Sequence, residues 1–319
     1  MNYDLAPMIH LHNGDSVAIT ARRALLPGRH VAYRETFISG PVQQGLRPVD
    51  FLEERARFIA GYYGEHLLRT RNELLEQEQM LDAIRDEEEI VLWFEHDLFC
   101  LANFLYLLVR LSKARRLSAI WCPRPLGNMA EEELVTTYLS RAAVQPLMLR
   151  IAAEAWKAYS AADAKELNRF VIQDWNDFPF LRDGMTLHAK RFPSTRNGLG
   201  EVEQRAMSAI DAGAVDFSTL FARFDANPPR YGFGDGEFLR HLRRLASCAV
   251  PMITITESGE GAPPKALFAI TPAGRKVLAG EADFIELNNA DLWLGGAHLT
   301  HEQLWRWDVD AREIRPSER

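Results

Sequence analysis

The chain has 319 residues, of which 47% are hydrophobic and 25% are charged, a composition typical of soluble globular proteins. This length predicts two or three domains, and the composition excludes the fibrous and intrinsically disordered classes. With 37 basic against 44 acidic side chains the net charge is −7, so any nucleic-acid binding must come from a local basic patch.

The cysteines and the apolar segments bear on the cellular compartment. Cys100, Cys122 and Cys248 are widely spaced and match neither a disulfide framework nor a CxxC zinc pattern. The chain begins without the features of a signal peptide, and its most apolar run, residues 98–109, is too short to cross a bilayer. We therefore expect a cytoplasmic protein with no membrane partner.

Strand and helix signals alternate along the first third of the chain. Apolar runs predict strands at Met8–His12 and at residues 30–34, 90–94 and 117–121, with helical patterns between them. Strands separated by helices form parallel sheets with right-handed crossovers. We therefore predict an α/β fold with a parallel Rossmann-like or flavodoxin-like sheet in residues 1–125.

The pattern changes after this segment. Residues 126–195 show only helical periodicity, which predicts a helical linker without strands. Residues 196–319 show three helical segments and then two strand segments around a Gly/Pro-rich stretch at residues 257–265. This order predicts a C-terminal winged helix-turn-helix domain with a tryptophan-rich extension, residues 291–308, that packs back as a strand or cap.

Polar side chains follow the predicted strands, at the edge where open α/β sheets bind ligands. In a flavodoxin-like order the first and third strands are neighbours, so we expect the side chains after them to approach one another. The candidate ligand-binding residues after the first two strands are Asn13, Gly14, Asp15, Ser16 and Glu35, and Glu95, His96 and Asp97 follow the third.

Clustered carboxylates raise one another's pKa unless a cation intervenes, so this acidic rim predicts a divalent metal, a bound amine or a protonated carboxyl group. Asp15, Glu95 and Asp97 are the candidate ligands of Mg²⁺ or Mn²⁺. His96, flanked by Glu95 and Asp97, is the candidate general acid or base of a catalytic group. The alternative is that these residues cap the following helices or interact with their dipoles.

Two histidines share one face of the first strand. His10 and His12 are two residues apart, so their side chains point the same way, as a metal-binding pair requires. His10 is therefore a further candidate ligand-binding residue. A hydrogen-bonded strand face is the commoner explanation of such a pair.

A basic helix in the winged domain offers a possible DNA contact. Arg240, Arg243 and Arg244 lie on one short helix and could reach phosphates and base edges. Asp235 and Glu237 on the same helix offset two of these charges, and a solvated helix face explains them as well. Self-association of this domain is a further alternative.

Several motifs together resemble one bacterial family, the domain of unknown function number 1835, over nearly the whole chain. The resemblance implies no particular activity. Its motifs are His10–Ser16, Arg34-Glu35 with Gly40-Pro41, Leu92–Phe99, Asn197–Leu199, Trp293–Gly296 and Trp305–Asp308.

A weaker resemblance is to the Toprim fold, in which an acid after the first strand and an Asp-x-Asp pair after a later strand hold magnesium. Here Asp15 would stand for the first acid and Glu95-His96-Asp97 for the pair, which departs from that pattern.

Three hypotheses follow. In the first, the strand-end site binds a small phosphate-bearing or nucleotide-like ligand and processes it with metal assistance. In the second, the chain is a ligand-sensing regulator that binds DNA through its winged helix. In the third, it is a non-catalytic assembly module that forms homo-oligomers.

Overall fold

The computed structural model describes residues 7–213, 215–224, 230–257 and 266–317. The chain divides into two compact units. The first unit comprises Met1–Ala162, Trp175–Gly184 and Gly295–Ala297, and the second comprises Asp163–Asp174, Met185–Leu294 and His298–Arg319.

The first unit contains a five-stranded sheet with helices on both faces. Its strands are β1 (Met8–His12), β2 (Arg29–Ala32), β3 (Glu89–Glu95), β4 (Leu117–Cys122) and β5 (Ala142–Ala143). Its helices are α1 (Asp15–Arg23), α2 (Pro48–Tyr63), α3 (Leu67–Asp82), α4 (Leu98–Arg110), α5 (Glu131–Leu139) and α6 (Pro146–Tyr159).

The strand order is β2-β1-β3-β4-β5. The first four strands pair in parallel, with Leu11 opposite both Val31 and Leu92, which confirms the predicted parallel sheet. The prediction that residues 126–195 hold no strand is wrong, because β5 pairs antiparallel with β4. Two alanines are too short a run to show the alternation by which strands are recognised.

The central strand is apolar because it is covered on both faces. Trp93 of β3 packs with α1 and α5 through a cluster that includes Val17 and Tyr138. Phe94, on the opposite face, contacts Phe104 of α4. Burial on both sides explains the continuous apolar run of β3 and the nearly all-apolar helix α4.

The helical part of the chain between β2 and β3 consists of two helices, α2 and α3. Gly64 ends α2 in the left-handed conformation, at φ 73°, and its amide donates to the carbonyl of Ala60. Glycine adopts this conformation without a steric penalty, so the chain can turn here and begin α3 at Leu67.

The remaining elements belong wholly or partly to the second unit, since the unit boundaries fall within α8 and β9. The helices are α7 (Asn168–Ile172), α8 (Leu181–Ala189), α9 (Glu201–Asp211), α10 (Phe217–Phe224), α11 (Asp235–Ser247), α12 (Pro272–Leu278) and α13 (Phe284–Asn288). The strands are β6 (Ile253–Glu257), β7 (Ala266–Ile270), β8 (Asp291–Leu294), β9 (Ala297–Thr300), β10 (Trp305–Asp308) and β11 (Glu313–Pro316).

The C-terminal strands form small two-stranded sheets. β6 pairs with β7 and β10 with β11, both antiparallel, and β8 is the neighbour of β9. The predicted Gly/Pro-rich connection between β6 and β7 lies largely outside the described residues. The extension expected to form one strand or cap instead contains β8, β9 and β10, because Gly295, at φ 62°, reverses the chain after β8.

Within the described part of the chain, no helix combines the length and the apolar character needed to span a membrane.

Candidate functional site

The loop after β1 is tied to the body of the sheet by its asparagine. The side-chain amide of Asn13 donates to Sγ of Cys100 at 2.8 Å, and its Oδ1 accepts from Nδ2 of Asn103 at 2.8 Å. Asn103 also donates to the carbonyl of Glu35 at 2.9 Å. Asn13 and Asn103 together therefore tie the segments after β1 and β2 to α4, which is a positioning role.

The next residues begin α1 at the surface. Gly14 has φ 131°, a conformation that strains any other residue, and no side chain caps the helix. Asp15 accepts from Nε of Arg34 at 2.9 Å and from its terminal nitrogen at 2.5 Å, and both side chains are more than half exposed. The hydrogen bond from Arg34 lowers the pKa of Asp15. Ser16 lies in the first turn of α1.

The two acids at the carboxyl end of β3, Glu95 and Asp97, are both held by backbone amides. Oε1 of Glu95 accepts from the amide of Leu126 at 2.8 Å, and burial raises the pKa of Glu95 although the amides of Leu126 and Gly127 lower it. Oδ1 of Asp97 accepts from the amide of Cys100 at 2.7 Å and so caps α4. Both contacts are those of structural carboxylates.

The carboxylates of Asp15, Glu95 and Asp97 are not among the converging ligand atoms found in the described residues. Among the described residues, the group of three metal-ligating side chains whose ligand atoms lie within 4.8 Å of one another is His10, His12 and His30. Asp15 accepts from Arg34 in solvent, whereas Glu95 and Asp97 accept from separate backbone amides, so a metal site shared by the three acids stays a prediction.

His96 packs as an aromatic ring. It stacks on Phe180 at 5.2 Å between ring centroids and lies 4.7 Å from the ring of Trp121. Burial lowers the pKa of His96, against a hydrogen bond to the Trp121 backbone that raises it. Its Nε2 is buried without a hydrogen-bond partner in the described residues. The ring as a whole is half-buried, and a role for His96 as general acid or base stays a prediction.

Histidines from β1 and β2 form a buried cluster on one face of the sheet. His10 and His12 are fully buried, and His30, which sequence analysis did not select, joins them from the neighbouring strand. Register explains the meeting, because His10 lies directly opposite His30. No local sequence pattern distinguishes His30, because its partner His10 is 20 residues away along the chain.

Hydrogen bonds assign a proton to each ring of this cluster. Nδ1 of His10 accepts from the indole of Trp93 at 2.9 Å, so its Nε2 donates to the carbonyl of Pro27 at 2.7 Å. Nε2 of His30 donates to the carbonyl of Leu26 at 3.1 Å, so its Nδ1 accepts from Nε2 of His12 at 2.9 Å.

The geometry of the rings is that of a stack. The rings of His10 and His30 lie 4.2 Å apart at an interplanar angle of 18°, and those of His12 and His30 lie 5.2 Å apart at 26°. A metal ion binds in the plane of an imidazole ring, along its nitrogen lone pair, and nearly parallel stacked planes do not meet at a common ion. The cluster is therefore a hydrogen-bonded imidazole stack that would have to reorient to hold a metal.

Sequence analysis missed a large recess in the first unit. A cavity of about 780 Å³ opens beside the residues that follow β2 and is walled by α2, α3, α4 and α6. Glu35 is the one candidate ligand-binding residue that lines it. The aromatic residues that line it come from the segment after β2 and from separate helices, so each looks like an ordinary core residue in its own segment.

Glu35 lies in a buried ion pair at the inner wall of this cavity. Its Oε1 accepts from Arg55 at 2.6 Å and from the amide of Thr36 at 2.7 Å. Arg55 also donates to the carbonyls of Ser39 and Pro41, and its guanidinium lies 5.3 Å from the centre of the Phe37 ring. This network fixes the chain between β2 and α2 and so shapes the wall.

A second carboxylate organises the opposite wall. Oε1 of Glu78 accepts from the hydroxyls of Tyr106, at 2.9 Å, and Tyr33, at 3.3 Å, and Oε2 accepts from Nε of Arg110 at 3.0 Å. Burial and the nearby Glu78 raise the pKa of Tyr106, so its hydroxyl is protonated at neutral pH. The polar groups of this wall are satisfied by one another.

The arginines of α11 are not one solvated face. Arg243 is exposed, Arg240 is half-buried, and Arg244 donates to the buried carboxylate of Glu203 on α9. His241 lies 2.8 Å from the same carboxylate. Burial raises the pKa of Glu203, but Arg244 and His241 lower it by more, so the net pKa lies well below its ordinary value. This carboxylate is therefore the charged centre of the α9–α11 packing.

No protein-family model matches the chain, and no curated protein is significantly similar to it. The resemblance to the domain of unknown function number 1835 therefore stays a prediction from the sequence motifs.

Proposed function

We propose that the first unit binds a small organic ligand in the cavity beside β2. The observation that carries this proposal is the cavity itself, about 780 Å³ in volume, next to the carboxyl end of a parallel strand. Ligands of open α/β sheets bind outside the carboxyl ends of the strands, and ligand pockets typically measure roughly 300–1,000 Å³.

The strand order defines the class of the sheet, and its switch point lies one strand away from the cavity beside β2. β2 lies on one side of β1, and β3 and the later strands lie on the other side. The order in which strands are added therefore reverses at the boundary between β1 and β3, as in flavodoxin-like sheets. We therefore class the sheet as flavodoxin-like, with an added antiparallel edge strand. The proposal has two forms. In the catalytic form, the site processes a phosphate-bearing ligand with metal assistance. In the non-catalytic form, it binds a ligand without reaction.

Saturation-transfer NMR on the full chain tests ligand binding. The panel contains uncharged aromatic compounds, nucleotides, and nucleotides with Mg²⁺ or Mn²⁺. Ala153 lines the cavity from α6, so Ala153→Trp places an indole in the binding volume. Ala222, an exposed helical alanine of the second unit, supplies the matched control Ala222→Trp.

We expect at least one class of compound to bind the wild type and Ala222→Trp but not Ala153→Trp. A panel in which no compound binds in this pattern would count against the ligand-binding proposal. Release of inorganic phosphate from a bound nucleotide, dependent on Mg²⁺ or Mn²⁺ and lost in Ala153→Trp, would establish the catalytic form.

A second candidate function concerns the second unit alone. We propose that α9, α10, α11 and the β6–β7 hairpin form a winged helix, because α11 packs on both α9 and β6. In such a domain α11 would be the recognition helix, with Arg243 its exposed arginine. Gel-shift assays at low salt test this, with binding expected to fall as salt rises and to weaken in Arg243→Ala.

A further inference from the structure

The charges that line the cavity neutralise one another. The lining carries four carboxylates and four basic side chains, so its net formal charge is zero. Glu35 pairs with Arg55, Glu53 with Arg71, and both Glu78 and Asp82 with Arg110. An anionic ligand would therefore have to compete for cations that already have carboxylate partners.

Lys157 is the remaining cation of the lining, and it forms no ion pair with any described residue. It is exposed on α6, where water already solvates its ammonium group. A phosphate buried deeper in the cavity would lose its hydration without gaining a free positive partner, which is strongly unfavourable.

The floor of the cavity is aromatic. The ring centre of Phe37 lies 4.6 Å from that of Tyr106 and 5.3 Å from that of Trp156, and Phe51 stacks at 6.1 Å from Phe37. These rings come from the segment after β2 and from α2, α4 and α6. Aromatic faces bind flat apolar groups by stacking and edge contacts.

The mouth of the cavity is apolar as well. Leu46, Val49 and Leu75 line it and are 38%, 54% and 37% exposed, although aliphatic side chains gain by burial. An apolar ligand that passes or covers these side chains removes their surface from water. A hydrated anion would leave that apolar surface in contact with water.

We infer that the ligand is an uncharged, mainly apolar molecule with at least one flat ring. This inference rests on the proposed ligand-binding function and specifies its chemical class. The aromatic floor and the aliphatic mouth recognise the ligand, and the paired charges hold the walls of the cavity together.

The test uses N-phenyl-1-naphthylamine, an uncharged probe that fluoresces in apolar surroundings, with the full-length chain. We expect saturable binding that Ala153→Trp weakens at least tenfold and that Ala222→Trp leaves within twofold. Indole in excess should displace the probe, whereas AMP and inorganic pyrophosphate at millimolar concentration should not. Circular dichroism and the melting temperature establish that each variant is folded.

Val49→Trp narrows the cavity from α2 and replaces Ala153→Trp if that variant does not fold. Binding of AMP or pyrophosphate that Ala153→Trp abolishes, together with no saturable probe binding, would overturn the inference while sustaining the proposed function. Probe binding that is equal in Ala153→Trp and Ala222→Trp would also overturn it. If neither the probe nor the anions bind in a cavity-dependent way, both proposals fall.

Discussion

Glu35 and Arg55 form an ion pair at 2.6 Å in which the side chains are 4% and 0% exposed. The pair joins the segment after β2 to the middle of α2. Because three backbone carbonyls also accept from Arg55, the guanidinium organises the whole inner wall of the cavity.

Removing the cation from this pair should destabilise the fold strongly. Arg55→Met leaves the carboxylate of Glu35 buried without its partner, and we expect a loss of about 3–5 kcal/mol in the free energy of unfolding. Urea denaturation measures it. Arg47→Met is the control, because Arg47 pairs with Asp50 in solvent, where water screens the pair and its loss should change stability little. Equal effects of the two substitutions would contradict the organising role of Arg55.

Substitutions of Asp97 distinguish its role as a helix cap from a role as a metal ligand. Because Asp97 caps α4 through the amide of Cys100, Asp97→Asn should be nearly neutral, and Asp97→Ala should cost about 1 kcal/mol. Thermal melts of the wild type and both variants, with and without MgCl₂ or MnCl₂, measure this. A metal-dependent rise in melting temperature that Asp97→Asn abolishes would instead support the shared site of Asp15, Glu95 and Asp97.

The histidine cluster should make the fold sensitive to acid. Burial, with a contribution from His30, lowers the pKa of His10 from 6.5 to about 4, and burial lowers the pKa of His12 and His30 as well. Between these values the unfolded chain binds a proton that the folded chain does not, so stability falls as the pH drops from about 6.5 towards 4. For His10 alone we expect a loss of about 2 kcal/mol at a pH of about 5.

Urea denaturation at a pH of about 7.5 and at a pH of about 5, on either side of the ordinary histidine pKa, measures this loss. His12→Leu should reduce it, because one fewer buried imidazole is protonated on unfolding. His66→Gln, at an exposed histidine before α3, should leave it unchanged. A stability that does not change over this range would contradict the burial of neutral imidazoles.

Substitutions of two neighbouring arginines of α11 should change the stability of the second unit by different amounts. Arg244→Ala leaves the buried carboxylate of Glu203 with His241 alone, and we expect it to destabilise the second unit by about 2–3 kcal/mol. Arg243 is exposed, so Arg243→Ala should change stability by less than about 0.5 kcal/mol. Thermal and urea unfolding of the two variants compare them. A larger effect of Arg243→Ala would mean that Glu203 is not the charged centre of this packing.

The candidate site shows where prediction from the sequence stops. The sequence places Glu95 and Asp97 at the end of β3, and both do lie at or just after that end. It does not show that Glu95 meets the amides of Leu126 and Gly127, about 30 residues further along the chain. The direction of a strand-end side chain depends on such distant partners, so the predicted acidic rim and the observed contacts differ.

The sequence by itself determined the parallel core, because apolar runs and helical periodicity are local properties of β1 to β4 and the helices between them. The tertiary structure alone decided that His30 joins His10, and that Phe37, Tyr106 and Trp156 surround one cavity. The physical reason is that local periodicity tells which face of an element is buried. What that face meets is set by sheet register and helix packing between segments far apart in the chain.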